Sequence, residues 1–188
     1  DLITILKVLG YIENETLFIV LYDSNRAFSR PYTYELFDTL RSNIDIKTNT
    51  HKAVIIGKGV GGQLAHYFLW YCRNVISDFL DMNYDSKIEG LYTIGTPWAG
   101  NLVSLENVLD ISRPLSMSDL VNLPDKDVWL DIPITDKYTS RSIPAILKIY
   151  RPDALEFLPY VRKMKKILKE PVGELITSLY GTMMPTMS

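Results

Sequence analysis

Hydrophobic positions change their rhythm near residue 112. Before it, short β-branched runs alternate with stretches whose apolar residues return every three or four positions. Thr16-Leu17-Phe18-Ile19-Val20-Leu21-Tyr22 predicts a strand, and Ile88 to Ile94 predicts another. Ala53-Val54-Ile55-Ile56 is apolar throughout, which predicts a short strand buried on both faces. Helical spacing runs over Asp1 to Leu9, stopped by Gly10, and from Pro31 to about Asn43, with Tyr34, Phe37, Leu40 and Ile44 on one side. It returns in Gln63 to Trp70, in Val75 to Met82, and in Leu102 to Leu109 behind the capping residue Asn101. After Ser112, prolines recur at Pro114, Pro124, Pro133, Pro144, Pro152, Pro159 and Pro171, with short helical runs between them. Strand signals there are weak, and Val128 to Ile134 is the best candidate. Alternating strands and helices predict an α/β protein with a parallel sheet over residues 1–110. Residues 111–188 read as a proline-punctuated helical cap or extension.

Composition narrows this picture. A chain of 188 residues suits one domain with a real core. Its net charge of -2 implies no general attraction to nucleic acid. Cys72 is the only cysteine, so no intrachain disulfide can form. Asp1-Leu2-Ile3 lacks a basic start and Lys7 interrupts the apolar segment, so no signal peptide is visible. An intracellular or organellar compartment is favoured. No apolar run approaches the roughly 20 residues of a membrane span. The first residue is not methionine, which leaves open a processed chain or one piece of a longer one. One cysteine and two distant histidines offer no metal-ligand spacing, so neither a metal nor another cofactor is expected.

The candidate chemistry lies in His51 to Trp70, a strand, a glycine turn and a helix. Two readings compete for Gly57-Lys58-Gly59-Val60-Gly61-Gly62. Gly57, Gly59 and Gly62 form G-x-G-x-x-G, the dinucleotide fingerprint, in the required strand-to-helix context. That fingerprint also needs an acidic residue at the end of the next strand. The next strand ends Thr93-Ile94-Gly95-Thr96-Pro97, without one. Gly57, Gly59 and Gly61 also fit G-x-S-x-G, the nucleophile elbow, with glycine in the serine's place. An elbow needs small residues on both sides of its nucleophile, because the turn is strained and the helix packs close to the strand.

At this point the chain resembles the lecithin:cholesterol and phospholipid:diacylglycerol acyltransferases, whose architecture is that of α/β-hydrolase lipases. Their elbow is similar to G-H-S-M-G-G followed by A-x-Y-F-L. Here the turn is followed by Ala65-His66-Tyr67-Phe68-Leu69. The family's Y-D-W-R is matched by Tyr22-Asp23-Ser24-Asn25-Arg26, with one residue inserted before the arginine. Its P-W-x-G loop is matched by Pro97-Trp98-Ala99-Gly100. The resemblance covers roughly residues 1 to 110. It implies a reduced α/β-hydrolase-like parallel sheet with flanking helices, and a pocket near Tyr22, Asp23, Val60 and Trp98. Trp98 would line an acyl pocket, or else pack as a loop tryptophan on the sheet end.

The departures from the family decide the expected function. Gly59 has no side chain with which to attack a carbonyl. The residue before it is Lys58, and no histidine follows His66. His51 and His66 are expected to be structural or solvent-facing. The Val60 N–H would be the surviving half of an oxyanion hole. The expectation is therefore a degenerate, non-catalytic member acting as a structural or binding subunit. Other protein chains would cover its sheet edges, and lipid is a possible ligand. Two alternatives stay open: an acyltransferase or lipase completed by missing segments or a partner chain, and a dinucleotide-binding module. Finally, Arg162, Lys163, Lys165, Lys166 and Lys169 alternate with Val161, Met164, Ile167 and Leu168. That pattern reads as an interfacial helix on anionic lipid or as the solvated face of an amphipathic cap helix.

Overall fold

The computed structural model describes residues 1–47, 51–76, 86–124, 130–131, 137–138, 142–172 and 176–179. Helix α1 (Leu2–Val8) starts where the Asp1 carboxylate accepts the Thr4 N–H at 2.8 Å. It is followed by Gly10 at φ 98°. Helix α2 (Arg30–Lys47) is longer than its apolar stripe predicted. Strand β1 (Ala53–Lys58) leads into helix α3 (Val60–Tyr71), which continues as a π-helical turn over Cys72–Ile76. Strand β2 (Ile88–Ile94) and helix α4 (Leu102–Leu109) match their expected bounds. Asn101 caps α4 by accepting the Ser104 N–H at 2.7 Å. Then come α5 (Met117–Val121), α6 (Ile143–Tyr150), a 3-10 turn (Pro152–Phe157) and α7 (Leu158–Ile167). The two-residue strands β3 (Leu130–Asp131) and β4 (Lys137–Tyr138) pair antiparallel.

The sheet has the order β1-β2-β5, where β5 is Ile176–Leu179, with both pairs parallel, which makes this a reduced α/β-hydrolase-like architecture. Strand β5 (Ile176–Leu179) comes from the proline-punctuated region and was not anticipated. The expected helix from Val75 to Met82 is helical to Ile76, and the rest lies outside the described residues. Of the candidate strand Val128 to Ile134, only Leu130 and Asp131 are described.

Two expectations are corrected. Thr16 to Tyr22 is not a ladder strand. The Thr16 and Leu17 N–H groups both bond the Ile12 carbonyl, at 2.8 and 2.9 Å, and Leu17 forms an isolated bridge with Glu13. A β-rich composition becomes a strand only when a neighbour completes its ladder. This segment spends part of its backbone on a local turn instead. Second, β1 is not buried on both faces. Val54 and Ile56 are 51% and 39% exposed, and Tyr92 and Leu179 are exposed on the same face of the sheet. Helix α3 packs on the other face, above Ile55, Gly57, Leu91 and Thr93.

The core has two apolar clusters. In one, the Phe37 ring meets Tyr67 and Phe68 edge-on at 5.1 and 5.5 Å, joining α2 to α3. In the other, Leu105, Val108, Leu120 and Leu147 join α4, α5 and α6. Helix α7 bridges them, with Val161 in the second and Met164 and Ile167 in the first. Its apolar face is thus filled by protein.

Candidate functional site

The glycine turn closes strand β1 onto helix α3 at Gly59, whose φ of 57° and ψ of -131° belong to a region open chiefly to glycine. Three contacts hold it there. The Gly59 N–H donates to the Ile94 carbonyl at 2.9 Å, continuing the β1–β2 pairing past the strand end. The Thr96 hydroxyl donates to the Gly59 carbonyl at 2.9 Å. The Tyr22 hydroxyl donates to the Lys58 carbonyl at 3.2 Å and accepts the Gly61 N–H at 2.9 Å. Tyr22 therefore straddles the turn from strand end to helix start.

The flanking glycines are there for space. A Cβ on Gly57 would stand 2.5 Å from the Gly62 Cα, and one on Gly62 would stand 2.1 Å from the Thr96 Oγ1. A Cβ on Gly61 would press on the Tyr22 ring at 3.0 Å. Gly59 differs. A Cβ there would find only the Tyr22 hydroxyl, at 3.9 Å. The geometry thus holds room for a side chain at the turn's apex, and the chain supplies none. Val60 opens α3, so its N–H lies at the positive end of the helix. Lys58 is exposed.

The other sequence-selected residues are spread around this turn. Asp23 begins a turn of its own. Its carboxylate accepts the Asn25 N–H at 2.9 Å, its carbonyl accepts from Arg26 and Ala27, and its N–H donates to the Tyr32 hydroxyl at 2.5 Å. Trp98 lies edge-on to the His66 ring, with centroids 5.5 Å apart. It lines a small cleft with Gln63, Gly100, Val121, Lys165 and Leu168. Gln63 donates through Nε2 to the Pro97 carbonyl at 2.9 Å, fastening the Trp98 loop to α3. His66 is 3% exposed, and burial pushes its pKa below 6.5, against a hydrogen bond to the Glu170 backbone and the Glu170 charge. It is a neutral packing residue inside α3. His51 is exposed, ahead of β1 and so at the sheet end opposite the turn.

Thr96 and Gln63 are the contributors that sequence reading passed over. Thr96 carried a signal in retrospect, since it stands beside the loop Pro97-Trp98-Ala99-Gly100. Gln63 carried none, because its partner is a backbone carbonyl 34 positions away. Among the described residues, no group of three His, Cys, Asp or Glu side chains gathers as a metal site.

The model of the lecithin:cholesterol acyltransferase family matches residues 1–172. The match includes the glycine turn, Tyr22-Asp23 and the Trp98 loop, and it extends well past residue 110 into the proline-punctuated helices. No curated protein matches the chain significantly.

Proposed function

This chain belongs to the lecithin:cholesterol acyltransferase family, and from that premise we propose that it is a non-catalytic member, a structural or binding subunit built on a lipid acyltransferase frame. One observation carries the proposal. At Gly59 the elbow has the strained backbone, the flanking glycines and the open space of a nucleophile position, and no nucleophile. The base is missing as well, because His66 is buried in the second turn of α3 against Trp98 and His51 lies at the opposite end of the sheet. The binding role is supported by Val54, Ile56, Tyr92 and Leu179, exposed apolar side chains on one face of the sheet. Parallel sheets of α/β proteins ordinarily have both faces covered. A partner chain lying on that face would complete the layer.

The test is labelling with a fluorophosphonate probe together with turnover of short-chain esters, on the chain as it stands and on Gly59→Ser. The proposal expects no labelling and no turnover from either, since a serine without a base stays a weak nucleophile. Serine-dependent labelling or turnover by the unaltered chain would overturn it.

The Val60 N–H beside open space at Gly59 favours a second reading, in which another chain or segment brings the missing nucleophile and base to this turn. Esterase activity that appears only with a purified partner would select that reading. The dinucleotide alternative loses its support with the family assignment, and β2 leads into the Gly95-Thr96-Pro97 loop with no acid to hold a ribose.

A further inference from the structure

We propose that the outer face of helix α7 is an electrostatic docking surface for anionic phospholipid bilayers. The helix runs Leu158–Ile167 and contains Arg162, Lys163, Lys165 and Lys166 without one acidic residue. Its buried residues are Val161, Met164 and Ile167. At about 100° per residue, Arg162 and Lys166 lie on the opposite side of the helix, with Lys163 beside them. All three are exposed, and Lys169 follows in the next turn, also exposed. Arg162 to Lys169 spans about 10 Å along the axis. Arg162, Lys163 and Lys166 have no carboxylate partner among the described residues. Arg30, at the start of α2, sets its guanidinium over the Tyr160 ring at 5.7 Å and adds a cation near the N-terminal end of α7.

The surrounding charge makes this concentration significant. The whole chain is at -2, so the cations of α7 are a local reversal of sign rather than part of a general basicity. The row is straight, it lies on a rigid helix whose other face is locked in the core, and most of its cations are lysines. Lysine acts as a flexible point charge, whereas arginine supplies the bidentate fork that suits a shaped carboxylate site on a protein. A row of exposed lysines fits a diffuse sheet of phosphates. Because Val161, Met164 and Ile167 are already buried, contact with a bilayer is superficial and electrostatic, without insertion.

The proposal does not depend on whether Gly59 is catalytic, so it stands or falls separately from the proposed function. The experiment is co-sedimentation of the full chain with vesicles of phosphatidylcholine alone and of phosphatidylcholine mixed with phosphatidylserine. The expected result is sedimentation with the mixed vesicles only, weakening as salt is raised toward about 0.15 M. The combined variant Arg162→Gln, Lys163→Gln and Lys166→Gln should lose about a hundredfold in partitioning, from roughly fivefold per cation. Lys148→Gln, an exposed cation on α6, should change it far less. The three α7 side chains are exposed, so an unchanged thermal melt will show that the variant is folded. Equal binding to neutral vesicles overturns the proposal, as does full binding by the triple variant. Binding to poly-glutamate or DNA that needs these cations, without binding to vesicles, would assign the face to an acidic protein or a nucleic acid instead.

Discussion

Tyr22 is the side chain on which the elbow leans most. Its hydroxyl bonds the last carbonyl of β1 and an N–H in the first turn of α3, so Tyr22→Phe leaves both groups to solvent or strain. A loss of about 1 kcal/mol is expected, read as a lower urea midpoint with an unchanged slope. The glycines make a sharper comparison. Gly59→Ala meets open space and is opposed only by its backbone conformation, which costs about 1–3 kcal/mol. Gly57→Ala drives a Cβ into the backbone of Gly62 and should cost more than about 3 kcal/mol. If the order of the two were reversed in chemical denaturation, the empty apex at Gly59 would be wrong. His66 gives a pH dependence. Its folded pKa is held below 6.5, chiefly by burial, so below that pH the unfolded chain takes up the proton more readily than the folded one. Its contribution to stability is complete above pH 6.5 and falls away as pH drops toward the folded value. Urea titrations at pH 7.5 and pH 5 should differ less in His66→Phe than in the unaltered chain.

Elements were legible where local chemistry alone settles them. Ile88 to Ile94 is a strand by composition, and Leu102 to Leu109 is a helix because Asn101 satisfies its first free N–H groups. Thr16 to Tyr22 had the composition of a strand and lacked the neighbour. Ile176 to Leu179 had too short an apolar signal to be noticed and was made a strand by β2, through Leu91, Tyr92, Thr93 and Ile94. The joint between α4 and α6 also depends on a distant partner. Arg151 is buried, and its guanidinium donates to the carbonyls of Val108, Asp110 and Arg113 at 3.1, 3.2 and 3.4 Å and to the Asp153 carboxylate at 3.0 and 3.1 Å. Arg151→Leu should cost about 2–3 kcal/mol, because it strands several carbonyls. Asp153→Asn should cost far less, because that carboxylate is exposed and water screens the pair. Equal losses from the two in thermal denaturation would show that the ion pair, not the carbonyl clamp, holds the joint.

For the whole molecule, the decisive feature is a sheet on which helix α3 covers one face and, among the described residues, Val54, Ile56, Tyr92 and Leu179 stay exposed on the other, with Thr177 beside Tyr92. An apolar fluorescent dye should bind the native chain there, and Ile56→Lys should reduce that signal while moving the melting midpoint little. Dye binding unchanged by the substitution would place the sticky surface elsewhere. Within the same frame, the sequence by itself determined the α/β class, the glycine turn and the absence of a nucleophile at Gly59. Those follow from residue types at short spacing, where backbone sterics and missing side-chain chemistry leave few options. Only the tertiary structure decided that Tyr22 and Thr96 hold the turn, that His66 is a buried neutral ring, that α7 turns its apolar face inward, and that β1 shows one face to solvent. Each depends on which distant element comes to lie alongside, and burial and hydrogen-bond partnership belong to that assembly rather than to any one stretch of chain.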